Sequence, residues 1–147
     1  MIHTAEAITA RPWARTLLAQ PVLARLATAN PTTMQPHVVP VWFEWDGESI
    51  WISSFDSTRK MRDLIGNPRV SIVVDTAEAD GTVRGIVFEG KADVIKDPAV
   101  VVPRSTSIYE RYLGKDGVLQ AEPASWIVDP ENRVIRLRPE RVYTWGE

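Results

Sequence analysis

Three cations crowd one short run, Ser57-Thr58-Arg59-Lys60-Met61-Arg62. Ser57 or Thr58 is a natural helix N-cap, because a hydroxyl there accepts from the first free backbone N–H groups. Ser57 to Gly66 therefore reads as a helix with Met61, Leu64 and Ile65 on its apolar side, stopped by Asn67-Pro68. The N-terminal end of a helix carries partial positive charge, so cations in its first two turns stand against the dipole. A bound anion removes that conflict. Free backbone N–H groups, the Thr58 hydroxyl, the Arg59 and Arg62 guanidinium groups and the Lys60 ammonium together have the chemistry of a phosphate site. The same residues also suit a solvated basic helix end, since exposed charge costs little. This segment alone leaves both readings open.

The stretch before that helix holds a second set of candidates. His37 to Trp45 alternates, with Val39, Val41, Phe43 and Trp45 on one face and Val38, Pro40, Trp42 and Glu44 on the other. Proline removes a ladder N–H, so Pro40 belongs on an edge strand or at a bulge. It either guards an edge against aggregation or leaves backbone polar groups free beside Trp42. Asp46-Gly47 signals a hairpin turn, which makes Ser49 to Phe55 the expected partner strand. Ser53 and Ser54 are a polar pair inside that apolar strand, placed to bond something just before the basic helix begins. Of the six tryptophans, Trp42, Trp51, Trp126 and Trp145 can stack on a flat ring or line a subunit contact. Ordinary core packing suits Trp45 and Trp51 better.

Other chemistry is missing from the sequence. There is no cysteine, which excludes a disulfide framework, a thiolate zinc site and a cysteine nucleophile. His3 and His37 are far apart; the first is expected in a frayed terminus and the second at a strand start. No Gly-x-Ser-x-Gly, His-Glu-x-x-His, Walker loop or Gly-x-Gly-x-x-Gly occurs. No side chain stands out as catalytic and no set of residues as metal ligands. Catalysis by such a chain needs a cofactor that carries the reaction.

The elements that must position these residues are short. Thr4 to Leu18 reads as a helix in which Pro12 weakens the middle or marks the true start. Leu23–Ala29, His37–Trp45, Ser49–Phe55, Arg69–Asp75, Val83–Ile95, Trp126–Val128, Arg133–Arg138 and Arg141–Trp145 read as strands, and Asp97 to Leu113 as a helix followed by a polar loop. Short, hairpin-linked, β-branched strands argue a mainly β fold with few helices, an antiparallel barrel. The 147 residues, 44% apolar and 24% charged, make one domain over 1–147. A net charge of −2 argues against a general nucleic-acid or anionic-membrane binder. No stretch reaches the roughly 20 apolar residues of a membrane span, and Met1 to Arg15 lacks the pattern of a secretory signal. A cytoplasmic location is the expectation.

The order of Leu23–Ala29, His37-Val-Val-Pro-Val-Trp-Phe, Asp46-Gly47, Trp51-Ile-Ser-Ser, Ser57-Thr-Arg-Lys-Met-Arg-Asp-Leu and Asn67-Pro-Arg-Val-Ser resembles the pyridoxamine 5'-phosphate oxidase-like FMN-binding split-barrel superfamily. It is most similar to the branch of FMN- and coenzyme F420-dependent reductases, as is the ending Arg136-Leu-Arg-Pro with Val142-Tyr-Thr-Trp. The resemblance implies a split β-barrel with FMN, or alternatively coenzyme F420, as cofactor. It places the cofactor ring along Val38, Pro40, Val41 and Trp42 with Ser53 and Ser54. The phosphate falls on Thr58, Arg59 and Lys60, with Arg62 nearby, and Trp126 and Arg133 resemble positions that complete the site. It also implies a homodimer with cofactor near the interface. Trp42 stands where the true oxidase carries a basic residue, and the Arg-Leu-Ala-Pro ending is absent, so vitamin B6 oxidation is not the expected activity. The expected function is hydride transfer between the cofactor and a small organic substrate. The alternatives are a non-catalytic flavin-binding or sensing module and, disfavoured by the net charge, a barrel that stacks single-stranded nucleic acid on its tryptophans.

Overall fold

Alternation of apolar and polar residues sets most of the strands, and hairpin turns set their order. The computed structural model describes residues 2–146; Met1 and Glu147, the ends of the expected domain, lie outside the described residues. The strands are β1 Ile2–His3, β2 Ala24–Ala29, β3 Pro36–Val41, β4 Glu44–Trp45, β5 Ile50–Phe55, β6 Arg69–Ala77, β7 Val83–Ile95, β8 Asn132–Leu137 and β9 Arg141–Trp145. The helices are α1 Ala5–Thr9, α2 Pro12–Ala19, α3 Arg59–Gly66, α4 Pro98–Gly117 and α5 Ala121–Val128. Every pairing is antiparallel, in the order β3-β2-β6-β7-β8-β5-β4, with β9 joining β7 to β1.

The long strand β7 makes this sheet a split barrel, as expected. Its first part pairs with β6 and β9, and its last residues, Ala92 to Ile95, turn to pair with β8. One core fills the inside of the curl around Leu26, Phe43, Ile52, Ile72, Ile86 and Phe88. A second lies under α4, where Trp51, Val101, Ile108, Tyr109, Ile127 and Val134 meet. No helix among the described residues is long and apolar enough to cross a membrane.

Four local expectations change. The continuous strand His37–Trp45 is two strands. Phe43 donates its N–H to the Tyr112 hydroxyl (3.0 Å) and its carbonyl accepts from Arg111 Nε (3.0 Å), so α4 takes the hydrogen bonds a ladder would have used. Consequently β3 pairs only with β2, while the Asp46-Gly47 hairpin joins β4 to β5. Trp126–Val128 is the end of helix α5 rather than a strand: Ile127 packs into the second core, and Pro123 sits in the first turn, where its missing N–H costs nothing. The helix expected over Thr4–Leu18 breaks at Ala10–Arg11; Thr4 caps α1 and Pro12 opens α2. Finally, His3 is not frayed, because β1 pairs with β9 and His3 Nε2 lies 2.8 Å from Thr144 Oγ1.

Candidate functional site

Strand β5 delivers the chain to α3. Thr58 is the N-cap of α3, but its hydroxyl does not cap the helix. Instead Thr58 Oγ1 donates to the Phe55 carbonyl (3.0 Å) and lies 3.1 Å from Ser54 Oγ. No acidic residue stands in the first turn, so the dipole's positive end is left without a protein anion. Arg59 and Arg62 are exposed, and Arg62 reaches back to the Ser57 carbonyl (3.3 Å). Lys60 is half-buried, and burial lowers its pKa from the ordinary lysine value. Neither Arg59, Lys60 nor Arg62 forms an ion pair with any described residue.

The nearest carboxylate in sequence is used elsewhere. Asp63, one turn after Lys60, is 2% exposed and accepts the Thr28 hydroxyl of β2 at 2.8 Å. That bond fixes α3 against the sheet and turns the acid away from the cations. A phosphate fits what is left: a helix end without a side-chain cap, a hydroxyl, two exposed guanidinium groups and a half-buried ammonium with no ion pair.

The structure brings only part of the expected set together. Thr58, Arg59, Lys60 and Arg62 share the start of α3, with Ser54 beside them. Ser53, on the opposite face of β5, is taken up by a network under α4. Its hydroxyl donates to Asn132 Oδ1 (2.9 Å) and lies 3.2 Å from both Ser105 Oγ and Tyr109 OH. Trp42 stacks on Tyr112 (ring centroids 4.7 Å apart) and meets Tyr109 edge-on, and Trp126 meets Tyr109 from the other side at 6.1 Å. Val41 is buried in the first core. Val38 and Pro40 are exposed on the outward face of the edge strand β3.

Strand register brings Arg133, which the family resemblance placed at the site, up to the start of α3. Arg133 stands directly across from Ser54, and its Nε lies 3.5 Å from Asp56, two residues before the α3 cap. That Nε is buried and makes no hydrogen bond. Sequence spacing does not show this approach, because Asp56 and Asn132, the start of β8 that carries Arg133, stand 76 positions apart.

The profile of pyridoxamine 5'-phosphate oxidase matches residues 10–146. The chain belongs to this family. Among solved structures it is similar to an F420 reductase, at 27% identity and TM-score 0.69, covering 90% of this chain and 96% of that one. It is also similar to a conserved hypothetical protein of Mycobacterium tuberculosis, at 26% identity and TM-score 0.74, covering 89% and 81%. The heme storage protein HutZ of Vibrio cholerae, at 17% identity and TM-score 0.72 over 92% and 93%, shares the fold. Compared with curated proteins, the sequence finds no match. Family members include oxidoreductases such as pyridoxamine phosphate oxidase and F420 reductase.

Proposed function

We propose that this family member is a flavin-type oxidoreductase that binds FMN or the deazaflavin coenzyme F420 by its phosphate at the start of α3 and passes hydride between the ring and a small organic substrate. One observation carries the reading: Lys60 is half-buried at a helix start with no side-chain cap and no acidic residue in its first turn, and it forms no ion pair with a described residue. Lys60, Arg59 and Thr58 are the phosphate ligands, and Arg62 adds charge from the next turn. Ser54 orients the Thr58 hydroxyl. The first half of β3 offers the ring its support, since His37 pairs with Thr28, the residue that anchors α3. The bound ring supplies the hydride chemistry; the protein's part is to orient it and to exclude water. No group of three His, Cys, Asp or Glu that could hold a metal occurs among the described residues, and the reading uses none. The printed name of the F420 reductase supports the deazaflavin and the family's own name supports FMN.

The same reading makes the active unit a cytoplasmic homodimer. In an open antiparallel sheet the uncovered face is normally polar. Here one outward row, Pro40–Arg25–Val73–Val87–Tyr143, is apolar but for Arg25, beside the mixed row Val38–Ala27–Ser71–Glu89–Arg141, and Val38 is 64% exposed. A second copy laid on that face covers it and places β3 of one protomer at the contact.

The test is to purify the native protein and identify its bound cofactor by absorbance and mass spectrometry. Stripped protein should then regain turnover with that cofactor alone, without added metal. Activity that survives complete removal of flavin and deazaflavin overturns the reading.

A further inference from the structure

At one mouth of the barrel lies a cavity of about 240 Å³ that no residue of the proposed cofactor site lines. Its construction follows from register. On β6 and β7 the inward row Val74–Ile86 belongs to the core, and the next inward pair is Thr76–Arg84. Glu78, two residues on, continues the same face. Across from them α2 presents Trp13, Leu17 and Gln20, spaced as one helical face. The result is a barrel mouth with an apolar floor at Leu17, an indole wall at Trp13, and a carboxylate and a guanidinium on the rim. Barrel mouths are favoured places for small-molecule sites.

The charges on the rim are unspent. Arg84 is fixed by one bond, Nε to the Gly146 carbonyl at 3.1 Å, which leaves its terminal nitrogens free. Glu78 and Arg84 line the same cavity but form no ion pair with each other or with any described residue. Asp80 in the hairpin tip feels Arg84 only at longer range. Opposite charges that flank a cavity without meeting are arranged to receive a ligand that carries both. We infer that this mouth binds a small zwitterion of the α-amino-acid type, its carboxylate on Arg84, its ammonium on Glu78 and its apolar side chain against Trp13 and Leu17. The site is separate from α3: none of its lining residues lies on α3 or β5, and Thr76 stands seven residues along β6 from Arg69, which follows the far end of α3, roughly 23 Å at the rise of a strand.

The experiment titrates the purified full chain with phenylalanine, tryptophan and leucine, and with phenylacetate and phenethylamine as singly charged controls. Binding is read by calorimetry and by the indole N–H signals in NMR, with Trp13→Phe assigning the signal at the cavity. At least one zwitterion should bind and shift the Trp13 signal, and the singly charged controls should bind about tenfold or more weakly, since each loses one charge-assisted contact. Glu78→Gln and Arg84→Gln should each weaken zwitterion binding by a similar factor, while Lys60→Ala leaves it unchanged. If none of the three zwitterions binds at millimolar concentration, or if binding ignores both charge-removing variants, the assignment is wrong. Neither outcome bears on cofactor binding at α3.

Discussion

Lys60 concentrates the argument for the cofactor site into one atom. A charge-assisted bond to phosphate contributes about 1.5–3 kcal/mol, so Lys60→Ala should weaken FMN or F420 binding roughly ten- to a hundredfold. Circular dichroism should show the fold intact, because the ammonium has no protein partner to lose. Wild-type affinity in that variant, measured by fluorescence titration, excludes the phosphate assignment. The pH dependence follows with a definite sign. Burial holds the free Lys60 pKa below its ordinary value, and a bound phosphate raises it again by offering a counter-charge. Binding therefore takes up a proton at alkaline pH, and affinity should fall as pH rises through the free Lys60 pKa, earlier than an ordinary lysine near about 10.4 implies. For FMN, a phosphate monoester, affinity should also rise at the acid end as the phosphate loses its second proton at about pH 6. Lys60→Arg should keep the acid limb and remove the alkaline one; an unchanged alkaline limb would mean another group titrates. This part of the site was legible in the sequence because a cap and three cations are local features. The uses of Ser53 and Trp42 were not, since both are decided by Tyr109 and Tyr112 on a helix more than fifty residues away.

Helix α4 decides how the barrel splits. Its Arg111 binds the Phe43 carbonyl and also caps the end of α2, with Nη2 donating to Leu18 (3.2 Å) and Gln20 (3.1 Å) carbonyls. A guanidinium on the last carbonyls of a helix satisfies them and suits the negative end of the dipole. Tyr112 holds the same place by accepting from Phe43 N–H and donating to the Val22 carbonyl at 2.8 Å. One helix thus pins α2, the β3–β4 break and the approach to β2. Arg111→Ala should cost about 1–3 kcal/mol and lower the melting temperature by roughly 2–4 °C for each kcal/mol in a chain of this size. The same variant should bind cofactor at α3 with unchanged affinity. A thermal scan identical to wild type would show that water replaces the guanidinium without loss. The strands β5, β7 and β9 were legible from alternation and hairpin signals. The break after Val41 was hidden because the alternation continues through it: Phe43 is buried like Val41, with Trp45 packed against the same core, and only the backbone partners of Phe43 differ. The Trp126 segment was misread because three apolar residues fit a strand and a helix end equally well.

For the whole molecule, the decisive feature is the uncovered sheet face formed by β3, β2, β6, β7 and β9, with an apolar row across its middle. Helices α2, α3 and α4 pack elsewhere, against the inside and ends of the curl or against β5 and β8. Val73, Val87 and Tyr143 lie side by side in one cross-strand row at its centre, with Trp145 38% exposed beyond them. Contiguous apolar surface of this kind marks an interaction site. Pro40 on the free edge of β3 blocks edge-to-edge strand addition. A second copy therefore meets this sheet by its face rather than along β3, which favours a closed pair over a fibre. The wild-type protein should run as a dimer by light scattering at micromolar concentration. Val87→Glu puts a carboxylate at the centre of the row, and a two-fold pair brings two such charges to the contact, where desolvation and repulsion both act. The variant should be monomeric with unchanged far-UV circular dichroism, because Val87 points away from the core and its loss leaves no cavity. Cofactor affinity should fall along with dimerisation if the ring lies near the interface, and should survive if α3 alone holds the ligand. A wild-type monomer with cofactor bound, or a Val87→Glu protein that remains dimeric, shows that the two copies do not meet on this face.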